Sequence, residues 1–158
     1  MSRPVATRGL LALTAAALVG ALGLLGSTAD ASVASPGFPP DRPTRVLILG
    51  DSVMLGAASQ DTAALPGREV VVDAAVNRST GQGAARLDEL GTDWDVVVVM
   101  LGHNDGSNPG AYQPAARQIL DRLRDVPSVV WLTIHEVRPH YPDVNAFIAG
   151  LQETYPNR

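Results

Sequence analysis

Four short apolar runs recur along this chain, and each is followed by a stretch with helical spacing. The runs are RVLILG (45–50), REVVVDAAV (68–76), WDVVVVML (94–101) and SVVWLTI (128–134). None alternates apolar with polar residues, so each reads as a strand buried on both faces. The segments between them run VMLGAASQ (53–60), GQGAARLDELG (81–91), AYQPAARQILDRLRDV (111–126) and DVNAFIAGLQETY (143–155). The second of these has Ala84, Ala85, Leu87 and Leu90 at helical spacing and stops at Gly91. The third carries Ala115, Ile119, Leu120 and Leu123 on one stripe, with Pro127 ending it. The fourth offers Asp143 as a cap and Ala146, Phe147, Ile148, Ala149 and Leu151 as its apolar contacts. Strands that alternate with helices and show no polar face belong to a parallel sheet covered on both sides. The expected fold is therefore α/β, a three-layer α/β/α flavodoxin-like domain. Its strands lie near 45–50, 69–74, 95–101 and 128–134, in the order 2-1-3-4.

That order leaves the fourth strand at an edge. SVVWLTI contains no Lys, no Pro and no charge, the devices that usually protect an edge from pairing with other chains. The segment reads as an interior strand whose fifth neighbour is missing, and residues 45–158 as a C-terminally incomplete domain.

The N-terminus has a different character. Arg3 and Arg8 precede an apolar run from Leu10 to Gly26, broken only by Thr14, and Ala29-Asp30-Ala31 follows as an A-x-A site. This is the layout of a secretory signal peptide over residues 1–31. The apolar run is shorter than the roughly 20 residues that span a bilayer. Residues 32–44 are a Pro-rich linker. The expected location is outside the cell or in its envelope, with membrane contact only through the signal segment if it is retained. The net charge is −4, and all twelve basic residues are scattered arginines, which argues against a nucleic-acid partner. There is no cysteine, which excludes disulfides, thiolate metal sites and cysteine nucleophiles.

In a parallel sheet, ligands bind beyond the carboxyl ends of the strands. Two strands end there in polar clusters: Gly50-Asp51-Ser52 and Gly102-His103-Asn104-Asp105. Ser52 falls where strand turns into helix, and free N–H groups at a helix start favour a developing oxyanion. Asn104 carries two N–H donors, while Gly50 and Gly102 permit tight turns. Taken singly, Ser52 also reads as a helix cap and Asn104-Asp105 as an Asx turn.

Together, LGDSVMLG and VVMLGHND resemble the first and third signature blocks of the SGNH (GDSL-like) hydrolases. The first is most similar to the SGNH domains associated with bacterial cell-surface acyltransferases that act on O-acetylated glycans. The resemblance covers Arg45 to about Asn157. It implies an ester hydrolase or acetyl transferase with Ser52 as nucleophile and an oxyanion hole formed by the Ser52 N–H and the Asn104 side chain. The third donor of the hole comes from the family's second block, where Asn77 stands in place of Gly and Gly81 is the nearest alternative. Gly50, Asp51, Gly102 and Asp105 support the motifs, and Asp105 is assigned to holding its turn. The implied substrate is a small-molecule or glycan acyl ester, with no cofactor and no metal.

The family's fifth block, Asp-x-x-His, supplies the general base and does not occur in this sequence. The histidines present are His103, in the variable position of G-x-N-D, and His135 and His140 in the loop after the fourth strand. Without the usual base, little or no ester turnover is expected of this chain. One alternative is a catalytically dead secreted binding module on the same scaffold. Another is a metallophosphoesterase, but the order here is Gly-His-Asn-Asp, and no early D-x-H ligand pair precedes it. A zinc helix is excluded by the five-residue spacing of His135 and His140.

Overall fold

A computed structural model describes Phe38 and residues 41–155; the signal peptide expected over residues 1–31 lies outside the described residues. The strands are β1 (Arg45–Gly50), β2 (Glu69–Ala74), β3 (Val96–Met100) and β4 (Ser128–Trp131). They form one parallel sheet in the order β2-β1-β3-β4. The helices between and after them are α1 (Ser52–Ala63), α2 (Thr80–Leu90), α3 (Pro109–Arg122) and α4 (Tyr141–Gly150), the last running into a 3₁₀ turn at Leu151–Glu153. The fold class and strand order are those expected from the sequence.

One face of the sheet carries the main core. Leu47, Leu49, Val97, Val99 and Val129 pack there against Ala84 and Leu87 of α2, Ile119, Leu120 and Leu123 of α3, and Leu151. The other face is covered by α1, whose Met54 packs with Val46 and Ile48. This makes three layers, but the two faces are not covered equally. Along β3, Val97 and Val99 are fully buried while Val96, Val98 and Met100 on the α1 side are only partly so. Farther out, Val130 and Leu132 remain 43% and 38% exposed. Complete cover of both faces, expected from the unbroken apolar runs, is thus reached only over β1.

Several boundaries differ from the sequence expectation for physical reasons. β4 stops at Trp131; the Leu132 N–H still reaches the Val99 carbonyl at 2.8 Å, and then the chain leaves the sheet. α3 ends at Arg122, well before Pro127. α4 begins at Tyr141, with His140 in the cap position and no side-chain cap bond; Asp143 lies in the first turn and does not cap it. Pro142 fits that first turn because no intrahelical acceptor awaits its missing N–H. The buried stripe of α4 is Tyr141, Val144 and Ile148, and Ala146 and Ala149 are exposed. Ala85 of α2 is likewise exposed. At the front of the described domain, the Arg42 guanidinium donates to both oxygens of Asp95, at 2.7 and 3.0 Å.

Candidate active site

Parallel pairing brings the two polar clusters together. Gly50 of β1 lies opposite Met100 of β3 and Ala74 of β2, so the chain segments leaving all three strands emerge side by side at the carboxyl edge. The first segment is Asp51-Ser52. Asp51, fully buried, is the N-cap of α1: its Oδ1 accepts from the Val53 N–H at 2.9 Å. The helix-cap alternative for Ser52 is thereby overturned. Ser52 occupies the first helical position, exposed, and its N–H is one of the first-turn donors that no helical carbonyl can reach.

Gly50 serves a purpose other than the tight turn expected. It has no left-handed backbone; instead, a Cβ there would lie 2.3 Å from the Met54 Cβ. Its missing side chain lets α1 press against the strand end and fixes where Ser52 emerges. Gly102 does need its freedom. It has φ +130°, and a Cβ would come within 2.9 Å of Val144 Cγ1.

The turn after β3 is anchored to the one after β2. The Asn104 Nδ2 donates to the Arg78 carbonyl at 3.1 Å, which orients the amide; among the described residues its second N–H has no acceptor. Asp105 accepts from the Thr80 backbone N–H at 3.0 Å and from its hydroxyl at 2.7 Å, at the start of α2. These bonds cross between segments, so the two residues do not form the local Asx turn their sequence also suggested. Asn77 stands in the exposed loop after β2 with φ +59°, a left-handed conformation that a glycine adopts most readily. Gly81 lies inside α2.

Arg78 organises this loop. Its guanidinium donates to the Asp73 carbonyl at 2.6 Å and the Gly50 carbonyl at 3.3 Å, and it pairs with the Asp73 carboxylate. Burial pushes the Asp73 carboxyl up, but Arg86 and Arg78 outweigh it and hold the group below the usual carboxylate range.

Sequence reasoning left His103 as a filler in the motif's variable position. Its Nδ1 lies 2.7 Å from Asp51 Oδ2. Its ring packs edge-on against Tyr141, and the Tyr141 hydroxyl donates to its carbonyl at 3.1 Å. The parallel order brings the segments after Gly50 and Met100 out side by side, but no sequence pattern pairs His103 with Asp51. His135 is exposed in the loop after β4, and His140 packs edge-on against Tyr141. Among the described residues, no three His, Asp or Glu side chains converge in a way that could hold a metal ion.

No protein-family model matches the sequence, and no curated protein matches it. Solved structures do. AlinE4, an esterase of the SGNH-hydrolase family, superposes with a TM-score of 0.60 at 16% identity, over 74% of this chain and 75% of that one. A lipase/acylhydrolase from Enterococcus faecalis superposes with a TM-score of 0.58 at 17% identity, over 72% and 73%. The C-terminal catalytic domain of the Streptococcus pneumoniae peptidoglycan O-acetyltransferase OatA gives a TM-score of 0.53 at 25% identity, over 71% of this chain and 63% of that domain. With the sheet order above and Gly50-Asp51-Ser52 and Gly102-His103-Asn104-Asp105 at one edge, this chain has the fold of the SGNH, or GDSL-like, hydrolases.

Proposed function

We propose that this chain is an exported SGNH-type acyl-ester hydrolase or acyl transferase with Ser52 as its nucleophile. The observation that carries the proposal is the division of labour at residues 51 and 52. Asp51 caps α1 from a fully buried position, and Ser52 is left exposed at the helix N-terminus, free of structural duty. A hydroxyl placed there faces unpaired N–H groups and the positive end of the helix dipole. In the proposed site the Ser52 N–H, the Asn77 N–H and the second N–H of Asn104 surround the carbonyl oxygen of a bound ester. As Oγ attacks, the oxygen becomes an oxyanion and each donor strengthens its bond, which lowers the barrier more than it tightens ground-state binding. The bond from Asn104 to the Arg78 carbonyl fixes its amide before substrate arrives. The similarity to OatA extends the substrate class to acyl esters of glycans, and the N-terminal signal layout agrees with a site of action outside the cytoplasm.

The test is hydrolysis of p-nitrophenyl acetate by the purified protein. Turnover that disappears in Ser52→Ala supports the proposal; turnover unchanged in Ser52→Ala contradicts it. The second reading is a binding module without turnover on the same scaffold. Absence of turnover in the intact protein would support that module.

A further inference from the structure

We infer that Arg78 is the positioning residue of the oxyanion hole, joining the chain segments that carry its three donors; the inference rests on Ser52 being the nucleophile. The donors come from three separate strand ends: the Ser52 N–H after β1, the Asn77 N–H after β2 and the Asn104 amide after β3. Such a hole stabilises an oxyanion only when its donors are fixed before the charge forms. Arg78 is bonded to all three segments.

Its carbonyl accepts from Asn104 Nδ2 at 3.1 Å. Its backbone N–H donates to the Ala75 carbonyl at 3.4 Å, which closes a turn with Val76 and Asn77 at the centre. The φ of +59° at Asn77 suits the third position of such a turn. The turn makes no use of the N–H at that position, and the Asn77 N–H has no acceptor among the described residues. On the side-chain side, Nη1 donates to the Asp73 carbonyl at 2.6 Å and to the Gly50 carbonyl at 3.3 Å. Gly50 stands two residues before Ser52, so this bond reaches the strand end from which the nucleophile emerges.

The guanidinium is itself held. Its Nη2 lies 2.6 Å from Asp73 Oδ1, with the two side chains only 11% and 13% exposed. Asp73 Oδ2 accepts from the Arg86 Nε at 2.7 Å, which fixes the carboxylate from its other side. Asp73 alone would satisfy the charge of Arg78. The bonds to Gly50 and Asn104 add a fixed relation between the nucleophile's strand end and the other two donors. A lysine would not reproduce it, because an ammonium is a point charge without the rigid fork of N–H directions used here.

The test is the reaction of the purified protein with a fluorophosphonate. Modification of Ser52 is followed by mass spectrometry over a range of reagent concentrations, which separates the binding constant KI from the limiting rate kinact. In this reaction Oγ bonds to phosphorus, fluoride leaves and the hydroxyl proton goes to water, while the phosphonyl oxygen gathers charge as an ester's would. The wild type is compared with Arg78→Gln, Arg78→Lys and Arg122→Gln, with folding checked by circular dichroism. Arg122→Gln removes a comparable ion pair and carbonyl bond, those from α3 to Asp88 and Ala84 of α2. The expected result is a kinact about 10–10²-fold lower in Arg78→Gln, with KI changed by less than about 3-fold. Arg78→Lys should lose less, and Arg122→Gln should match the wild type. A wild-type kinact in Arg78→Gln, a change in KI alone, or an equal loss in Arg122→Gln overturns the inference and leaves the nucleophile assignment intact. Should Arg78→Gln fail to fold, a wild-type kinact in Arg78→Lys overturns it equally. A wild type whose Ser52 takes no phosphonyl group overturns the nucleophile assignment, and this inference with it.

Discussion

Asp51 is where the fold and the site depend on the same atoms, and truncating it should separate their contributions. In Asp51→Ala, α1 loses the cap on the Val53 N–H, worth about 1 kcal/mol. The His103 Nδ1, in a mostly buried setting, loses its acceptor, which costs about 1–3 kcal/mol. The expected loss is therefore about 3 kcal/mol. For a domain of this size that lowers Tm by roughly 10 °C. Asp51→Asn should behave differently. Its Oδ1 keeps the cap and its Nδ2 donates to Nδ1 of the imidazole, so it should stay within about 1 kcal/mol of the wild type. The assay is thermal unfolding by circular dichroism at neutral pH, with urea titration to place the two variants on one scale. Equal Tm values for the Ala and Asn variants would refute the reasoning, because they would show that neither hydrogen bond of Asp51 holds the strand end in place.

Other outcomes follow from the same geometry. Asn104→Ala should lower kcat by about 10²–10³-fold with little change in KM, measured on p-nitrophenyl acetate, as expected for a donor used mainly in the transition state. Gly102→Ala should lose about 1–3 kcal/mol in urea unfolding, because its φ of +130° is strained for alanine and the added Cβ meets Val144. The hydrogen bonds from Arg42 and from the Arg45 N–H hold the Asp95 carboxyl below its usual range. A depressed carboxyl contributes stability that is full above its unfolded-state value, about 3.9, and is lost as pH falls through the lower folded-state value. Asp95→Asn should accordingly be less stable than wild type at pH 7, and the gap should narrow in melts taken below about pH 4. N-terminal sequencing of the exported protein should find processing after Ala31, and a retained Met1 would contradict export by cleavage.

The fold was legible because burial of a parallel sheet leaves a strong mark on sequence. β3, as Val96–Met100, has no polar residue to suggest any other state, and the strand–helix alternation fixes the order of the layers. Chain ends of elements were less legible, for local reasons. Asp143 looked like a cap, yet Pro142 is compatible with the first helical turn and lets α4 begin earlier. Gly50 looked like a turn residue because glycine's two uses, freedom and lack of bulk, are indistinguishable until Met54 is seen against it. The motif pair Gly50-Asp51-Ser52 and Gly102-His103-Asn104-Asp105 was legible as a resemblance to the SGNH blocks, and the structure brings both clusters to one edge of the sheet. The hydrogen bond from His103 to Asp51 was not. It joins residues 52 apart in sequence, and no local pattern encodes it. The same holds for Arg78, whose side chain and carbonyl tie together segments from β1, β2 and β3.

The nucleophile is tested most directly by covalent capture. The intact protein is incubated with a fluorophosphonate, digested, and the modified peptide sequenced by mass spectrometry. One phosphonyl group on Ser52, absent from Ser52→Ala, is the predicted result. A wild type that remains unmodified, or a label that lies on another serine and persists in Ser52→Ala, would contradict the assignment of Ser52 as the reactive residue of this fold.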